Sequence, residues 1–459
     1  MTTGGCVDAS CNARMLGLAI SWMDFKEEPV DSKPSSRREL LKGGALAVGA
    51  AAAGASVGKT ALAETPAPAL PSYAVNEAPQ IPVSSDVVAY GVRSRYVKSV
   101  RIQEDGRSPA ATARYDNFGL TIHIQTPLQD SIGTIQASSL HYCATTKGAF
   151  VPDIDPDKHT LLINGLVDRP RIFTMAELKR FPSVTRFHFV ECIANNANAT
   201  HKNVQQSHGT CSNAEWTGVL LSTLLKECGL QDKATWFIAE GAEEVKGAST
   251  LPINKAMDDV IVAYGMNGEP LRPQQGFPVR LIAPGFEGIF NIKWLRHIKV
   301  VDQYQLNMND FGHLRRDETS AALGYTWGAK SVITFPSGSQ KLPEPGWYEI
   351  TGLAWSGNGA VRKVEVSTDG GQTWNEAELK GIPLRKAHTR FGYMWHWDGD
   401  EHVIMSRTTD ETGAVQPTRE QVAKALGLTY TPNFRPPGTN NTIMPWKIAK
   451  DGSVTNGLA

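Results

Sequence analysis

The sequence has few of the features that announce a binding partner or a metal site directly. Its 46 basic residues balance 46 acidic ones, so the formal net charge at pH 7 is zero. A balanced charge gives no reason to expect nucleic acid or an anionic membrane surface as a partner. None of the 6 cysteines belongs to a Cys-x-x-Cys or Cys-x-x-Cys-His motif. That absence argues against zinc ribbons, thioredoxin-like redox centres and covalently attached c-type haem.

Long hydrophobic runs are lacking as well. Residues 43 to 58 form the apolar stretch near the N-terminus, but Gly and Ala dominate it, and it is shorter than the ~20 strongly apolar residues that a membrane-spanning helix needs. This stretch follows Arg37, Arg38 and Lys42 and precedes an Ala-x-Ala site at residues 61 to 63. The order predicts a twin-arginine export signal that is cleaved near Glu64, with a signal anchor or a plain surface pair of arginines as the alternative. We therefore expect a periplasmic protein that is exported folded around a cofactor.

The chain length and the change in sequence pattern along it predict two domains after the signal, since domains usually have ~100–200 residues. We expect a signal region over residues 1 to 63 and an extended segment over residues 64 to 130. A mixed α+β domain over residues 131 to 305 and an all-β sandwich over residues 306 to 459 should follow.

Local signals locate several elements of these domains. They are capping boxes at Thr174/Glu177 and Thr418/Gln421, a strand over residues 183 to 191, a helix with Cys228 on its buried face and Gly229 as its C-cap, and a hairpin turn at residues 369 to 371.

Cys192 is the sharpest candidate for chemistry. It follows the predicted strand and precedes a polar stretch, residues 195 to 212, that shows no hydrophobic period. Long polar loops inside compact domains are more often functional than idle. A thiolate there can bind a soft or high-valent metal. The alternative is a buried structural thiol, or one of two disulfides among the four cysteines of the mature chain.

Motifs around Cys192 and further along the chain place it in a known context. They are Phe187-His-Phe-Val-Glu-Cys192, Asn213-Ala-Glu-Trp-Thr-Gly-Val-Leu-Leu-Ser-Thr-Leu-Leu225, Ala263-Tyr-Gly-Met-Asn-Gly-Glu-Pro-Leu271, Gly276-Phe-Pro-Val-Arg-Leu-Ile-Ala-Pro-Gly285 and Asn291-Ile-Lys-Trp-Leu295. Together they resemble the sulfite oxidase family of molybdopterin enzymes. Val151-Pro-Asp-Ile-Asp-Pro156, Gly165-Leu-Val-Asp-Arg-Pro170 and the run from Ser406 to Pro417 are similar to the molybdenum subunits of bacterial Sox sulfur-oxidation systems, which are sulfane or sulfite dehydrogenases.

The resemblance implies a molybdopterin domain of α+β structure followed by an immunoglobulin-like dimerisation domain. It places Cys192 at the single protein ligand to molybdenum, so we expect this cysteine to form no disulfide. It also matches Tyr264 to an active-site tyrosine, for which a half-buried structural tyrosine is the alternative. Oxo transfer to a sulfur compound is the implied reaction.

Basic residues near the end of the first domain match positions that hold the pterin phosphate in the family. They are Arg280, Lys293 and Arg296, and a solvated basic face is the alternative. A phosphate dianion suits such charge-assisted donors. A looser match assigns the pterin pocket to His141, Tyr142, Thr145 and Thr146.

One departure bears on the substrate. Animal sulfite oxidases carry arginines soon after the ligand cysteine, whereas residues 193 to 202 contain none here. His201, Lys202 and His208 remain as candidates for binding an anion. We therefore expect sulfane sulfur on a carrier protein to be a better substrate than free sulfite, because an interface can supply its affinity.

Partners and alternatives follow from the same comparison. Because the sequence has no haem-binding motif, we expect the electrons of each turnover to pass to a separate c-type cytochrome. We also expect a homodimer or a heterotetramer with cytochrome. The alternatives are a methionine-sulfoxide-reducing molybdopterin enzyme, which in its known forms lacks the second domain, and an exported binding or assembly protein without metal.

Overall fold

The computed structural model describes residues 91–94, 96–103, 122–145, 151–195, 197–243, 247–307, 326–431, 434, 436 and 438–458. The predicted export signal and leader up to residue 90 lie outside these residues. The described residues after Gly91 belong to one compact unit, Val92–Ala459. None of the helices in the described ranges is both long and apolar enough to span a bilayer.

The first half of this unit contains three sheets. A small antiparallel sheet has the order β1-β2-β3, and a second antiparallel sheet has the order β11-β10-β7-β6 with β12 also paired to β10. A third sheet has the order β5-β4-β13-β8-β9, in which only the β4/β13 pair is parallel. Their bounds are β1 Ile102–Gln103, β2 Ile122–Gln125, β3 Cys143–Thr145, β4 Thr160–Gly165, β5 Arg171–Thr174, β6 Ser183–Glu191, β7 Cys211–Leu220, β8 Trp236–Gly241, β9 Ala248–Pro252, β10 Ile261–Met266, β11 Glu269–Pro270, β12 Arg280–Ile282 and β13 Leu295–Val301.

Short helices connect these strands. They are α1 Met175–Leu178, α2 Val204–His208, α3 Leu221–Cys228 and α4 Ile253–Asp258. The capping box that predicted α1 is present, with the Thr174 hydroxyl and the Glu177 carboxylate each accepting a backbone N–H. Gly229 ends α3 in the left-handed region at φ 74°, as its sequence position predicts, and Cys228 is fully buried.

The second half is all-β, as predicted. Its sheet has the order β14-β15-β18-β17-β16-β19-β20-β21, and β14 packs back against β19. The predicted turn at residues 369 to 371 joins β16 to β17, and the second capping box begins helix α5, Arg419–Ala425. The strand bounds are β14 Lys330–Phe335, β15 Gly346–Trp355, β16 Val361–Ser367, β17 Asn375–Lys380, β18 Thr389–Trp397, β19 His402–Asp410, β20 Trp446–Ile448 and β21 Val454–Asn456. The α+β domain followed by an all-β domain confirms the predicted fold class.

The hydrophobic core explains why the two halves form one unit. A first cluster lies between the third sheet and one face of the β6/β7/β10 sheet, and a smaller cluster covers the opposite face of that sheet. A further cluster is shared by the halves, because Phe189 and Cys211 of the first half pack with Trp327, Trp355 and Trp446 of the second. Burial of such aromatic surface is worth about 25 cal/mol per Å², so the halves stabilise each other.

Candidate active site

Cys192 packs against the smaller cluster, directly after the end of β6. Strand β6 ends at Glu191, and Cys192 begins a tight turn whose backbone is held on both sides. The Cys192 N–H donates to Thr210 O at 2.9 Å, and Asn195 N–H donates to Cys192 O at 3.0 Å. The side chain is half-buried. A fixed backbone with a partly accessible sulfur is suited to a metal ligand.

The disulfide alternative does not hold in this structure. Cys143, Cys192, Cys211 and Cys228 are all thiols. Burial, and then the charge of Glu191, raises the pKa of the Cys211 thiol well above its usual range. Burial likewise raises the pKa of Cys228. Cys192 is thus the partly exposed thiol of the set, and the other three are buried.

Tyr142 is the tyrosine that the structure places next to Cys192. A Cβ built on Gly288 would lie 3.0 Å from the Tyr142 hydroxyl and 3.3 Å from Cys192 Cα, so both residues pack closely against Gly288. Burial, followed by the charge of Cys192, raises the pKa of Tyr142 well above its usual range. The phenol therefore stays protonated and can donate a hydrogen bond to an anionic group.

His141 supports this arrangement as a neutral side chain. Its ring stacks on Tyr142 at 5.3 Å and meets Trp216 edge-on at 5.7 Å. Burial lowers its pKa to about 3, and the positive charges of Arg280, Arg101 and Lys293 contribute to the lowering. Its Nδ1 lies 3.0 Å from Tyr142 O, whereas its buried Nε2 has no hydrogen-bond partner among the described residues.

Arg280 lies at the start of β12 and contacts the same Trp216 ring that His141 meets. Its guanidinium donates to Gln275 O at 2.9 Å and to Asn291 O at 3.2 Å, and it lies 4.9 Å from the ring centre of Trp216. The residue is 3% exposed. Burial lowers its pKa to about 10. The cation is thus held between neutral groups in a desolvated place.

Lys293 supplies a second cation at the same site. Its Nζ donates to Ala144 O at 3.2 Å and to Gln274 O at 3.4 Å, and it lies 3.9 Å from Cys143 Sγ. Burial lowers the pKa of Lys293, and the Arg280 charge acts in the same direction. The structure therefore brings together five predicted site residues: His141, Tyr142, Cys192, Arg280 and Lys293.

These residues fit a cofactor that carries a phosphate and a soft metal. No ion pair within the described ranges involves Arg280 or Lys293, and the buried Nε of Arg280 has no hydrogen-bond partner there. A buried cation without a counter-charge is costly. An anionic group such as a phosphate would compensate the positive charges of Arg280 and Lys293. The Cys192 sulfur is a soft ligand for molybdenum.

Other predicted cofactor residues lie elsewhere or outside the described residues. Arg296 is on β13 and pairs with the Glu240 carboxylate of the neighbouring β8, so its charge is already compensated away from Arg280. Thr145 ends β3, whereas Thr146 is outside the described residues. The roles assigned to these three residues stay predictions.

Tyr264 lies on β10, and its neighbours in the strand pack on the two faces of that sheet. Its neighbours Ala263 and Met266 belong to the cluster that contains Tyr142, and Cys192 packs against that cluster. Tyr264 itself packs against the cluster on the opposite face of the sheet. A bulge between Ala263 and Gly265 interrupts the pairing with β7 at this position. The predicted contact of Tyr264 with the metal centre stays a prediction.

The polar stretch after Cys192 is more ordered than its sequence predicts. It contains the short helix α2, capped by the Asn203 side chain and largely buried. His208 is 1% exposed, and burial lowers its pKa well below the usual range, so it is neutral rather than cationic. Lys202 is exposed at the boundary with the second half, where Ser339 Oγ donates to its carbonyl at 3.5 Å. Asn456 donates to the carbonyl of His201 at 2.7 Å, which anchors the loop to the all-β domain.

Sequence reasoning missed the residues that support the predicted ones. Trp216 and Gln275 hold Arg280; Trp216 lies inside the motif from Asn213 to Leu225, and Gln275 lies directly before the motif that begins at Gly276. Lys330 and Trp355 bind Glu191 from the second half of the chain. They carry no local signal, since they lie 139 and 164 residues from Glu191.

Comparisons with known proteins agree with this site. Residues 148–309 match the oxidoreductase molybdopterin binding domain, and residues 322–437 match the Mo-co oxidoreductase dimerisation domain. The chain is 31% identical over 308 residues to mitochondrial sulfite oxidase of Rattus norvegicus, which covers 58% of this chain and 55% of that protein. It is 34% identical over 314 residues to the NADPH nitrate reductase of Phytophthora infestans, covering 60% of this chain but only 34% of that protein. The sequence motifs did not suggest the nitrate reductases.

A solved structure matches over a larger part of the chain. The sulfane dehydrogenase SoxCD from Paracoccus pantotrophus has a chain that is 32% identical, with a TM-score of 0.74, covering 84% of this chain and 97% of that one. Both domains and their order are therefore those of one established group, and the chain belongs to the sulfite oxidase family of molybdopterin oxidoreductases.

Proposed function

We propose that this chain is a periplasmic molybdenum oxidoreductase that oxidises sulfur compounds and passes the electrons to a c-type cytochrome. The observation that carries the proposal is the similarity to the sulfane dehydrogenase SoxCD over 97% of its matched chain. The nitrate reductase of Phytophthora infestans, in contrast, matches over 34% of its length. The twin-arginine motif at Arg37 and Arg38 supports export after cofactor insertion.

Each site residue has a physical role in this proposal. Cys192 would hold molybdenum through its sulfur, and Arg280 with Lys293 would hold the phosphate of the pterin. When bound, the cofactor supplies a redox centre for oxygen-atom transfer to sulfur. The protonated hydroxyl of Tyr142 lies beside Gly288 and Cys192, where it would donate a hydrogen bond to a substrate or product anion.

The charges around the site favour a substrate that brings its own binding surface. Arg280 and Lys293 face the predicted phosphate position, His208 is buried and neutral, and Lys202 is exposed at the domain boundary. A small dianion such as sulfite needs direct cationic donors once water is excluded. Sulfane sulfur on a carrier protein gains affinity from an interface instead. We therefore propose carrier-bound sulfane as the main substrate and sulfite as the poorer one.

The remaining parts of the proposal concern assembly. A homodimer, or a heterotetramer with a cytochrome subunit, is proposed because residues 322–437 match a dimerisation domain. The c-type cytochrome is proposed because the sequence contains no Cys-x-x-Cys-His motif.

Nitrate reduction is the second candidate, because nitrate reductases are among the relatives. Steady-state assays on protein of measured molybdenum content separate the two. Cytochrome c reduction is followed with a thiosulfate-loaded carrier protein and then with free sulfite, and nitrate is offered with reduced viologen. We expect turnover on the carrier above that on sulfite, none on nitrate, and none with Cys192→Ser. Nitrate turnover without sulfur oxidation would overturn the proposal, and saturation by micromolar sulfite with fast turnover would overturn the substrate order.

A further inference from the structure

The residue before the predicted metal ligand is held by the other domain. Glu191 is 0% exposed and ends β6 directly before Cys192. Its Oε1 accepts from Lys330 Nζ at 2.6 Å, and its Oε2 accepts from Trp355 Nε1 at 2.7 Å. Its backbone carbonyl accepts from Trp327 Nε1 at 3.2 Å. All three donors come from the all-β domain.

Lys330 is as deeply buried as its partner. The side chains of Lys330 and Glu191 are 1% and 0% exposed. The ammonium lies 4.6 Å from the ring centre of Trp327 and 5.8 Å from that of Trp355. Removal of one partner from such a desolvated pair leaves a buried charge without compensation. The carboxylate therefore has one well-determined position.

Glu191 also fixes the turn over residues 192 to 195, called the cysteine turn below. Asn195 Nδ2 donates to Glu191 Oε1 at 3.1 Å and to His208 O at 3.0 Å. Asn195 Oδ1 accepts from Thr210 N at 2.9 Å, and Asn195 N donates to Cys192 O at 3.0 Å. Thr210 O in turn accepts the Cys192 N–H. A continuous set of hydrogen bonds thus runs from Lys330 through Glu191 and Asn195 to both backbone groups of Cys192.

We propose that Lys330 and Trp355 of the all-β domain are positioning residues for the molybdenum ligand, acting through Glu191 and Asn195. The all-β domain is then a structural part of the metal site as well as an oligomerisation module. The inference rests on the proposed function, because it takes Cys192 as the ligand. Partners that orient a metal ligand typically change metal affinity or activity by ~10–100-fold when removed.

Three variants test the inference on the full-length holoenzyme. Lys330→Met and Glu191→Gln each leave one buried charge uncompensated, whereas the double variant removes both charges and keeps one amide oxygen, which can accept from Trp355 or from Asn195 but not from both. Measured quantities are molybdenum content by mass spectrometry, the Mo(V) electron paramagnetic resonance spectrum, the reduction potential and the unfolding temperature. We expect each single variant to change the spectrum and lower the molybdenum content by ~10-fold or more, and the double variant to recover the unfolding temperature but not the wild-type spectrum.

Lys386→Met is the matched control. Lys386 also comes from the all-β domain, and it pairs with Asp259 of the first domain at 2.5 Å. Its side-chain pair is 14% and 9% exposed, and no hydrogen bond from its ammonium reaches the cysteine turn in the described part of the chain. We expect this control to lower the unfolding temperature without changing the Mo(V) spectrum.

The result that overturns the inference is equally specific. It is wrong if Lys330→Met and Glu191→Gln lower the unfolding temperature as Lys386→Met does but keep the wild-type spectrum, potential and metal content. If either single variant fails to fold, Trp355→Phe, which removes one hydrogen bond to Glu191 and keeps an aromatic ring, is judged by the same spectrum. A wild-type protein without molybdenum, or a Cys192→Ser variant with the wild-type spectrum, would overturn the proposed function instead.

Discussion

Arg280 offers a prediction whose size follows from the structure. The guanidinium is 3% exposed, and its hydrogen bonds within the described ranges go to neutral groups, Gln275 and Asn291. Without an anion, the protein holds this charge at a cost. With the phosphate of the pterin bound, the same charge becomes an anchor. Arg280→Met should therefore affect the cofactor-free and the cofactor-bound protein very differently.

The cost of the buried charge can be worked out from its pKa. Burial lowers the pKa of Arg280 from its usual value to about 10. At 1.36 kcal/mol per pKa unit this corresponds to about 3 kcal/mol. The folded state loses its proton first, so stability rises with pH only above about 10, and the full cost is present at pH 7.

The substitution removes this cost but also removes two hydrogen bonds. Carbonyl groups of Gln275 and Asn291 lose their charged donor, which costs about 1–3 kcal/mol. The two effects nearly cancel, so the free energy of unfolding of the cofactor-free protein should change by less than about 2 kcal/mol. Loss of charge-assisted bonds to a phosphate should weaken cofactor binding by about 3 kcal/mol, on the order of 100-fold.

The assay compares both states of the same variants. Protein made in a host without molybdenum cofactor is unfolded in urea, and cofactor binding is then measured by titration with molybdenum content as the check. Arg171→Met is the control, since Arg171 pairs with Glu227 at the surface. Arg296→Met should also retain cofactor binding because Glu240 already compensates its charge. Wild-type cofactor affinity in Arg280→Met would refute the assignment of this arginine.

Three further substitutions test the centre of the site. Cys192→Ser should abolish molybdenum binding and turnover while the unfolding temperature of the cofactor-free protein stays close to the wild-type value, because the half-buried sulfur is replaced by a smaller oxygen; metal analysis and calorimetry check this. Tyr142→Phe should lower kcat by about 10²-fold and Tyr264→Phe by less than about 3-fold, since the Tyr142 hydroxyl lies beside Gly288 and Cys192 whereas Tyr264 packs against the first hydrophobic cluster. Steady-state kinetics of the two tyrosine variants, side by side, would contradict this expectation if their order were reversed.

Local signals in the sequence predicted local structure well. The capping boxes, the αL glycine after α3 and the turn at residues 369 to 371 depend on neighbouring residues only, and each is present. Helix α2 was missed because a helix of five residues, Val204–His208, is too short to show a period. Its burial comes from long-range packing, which polar composition does not announce.

The sequence motifs predicted which residues lie near the site better than they predicted the direction of each side chain. Arg280 and Lys293 lie together because β12 and the segment before β13 are neighbours, whereas Arg296 is three residues further along and meets β8 instead. Tyr264 was placed by its motif, but the direction of a strand side chain depends on pairing and on bulges. Those two features are tertiary, so the motif alone could not predict the direction of the Tyr264 side chain.

The charge that compensates Glu191 also comes from a residue far away in the sequence, and this explains why the second domain packs against the end of β6. Strand β6 carries Glu191 into a fully buried position directly before Cys192, where a lone carboxylate would repel the anionic sulfur ligands of a molybdenum centre. Nothing in the first domain pairs with that carboxylate among the described salt bridges; Lys330 of the second domain does. The same contact surface buries Phe189 and Cys211 against Trp327 and Trp355. A metal ligand at a domain boundary is thereby both rigid, because the shared core fixes it, and approachable, because the boundary leaves its sulfur half-buried.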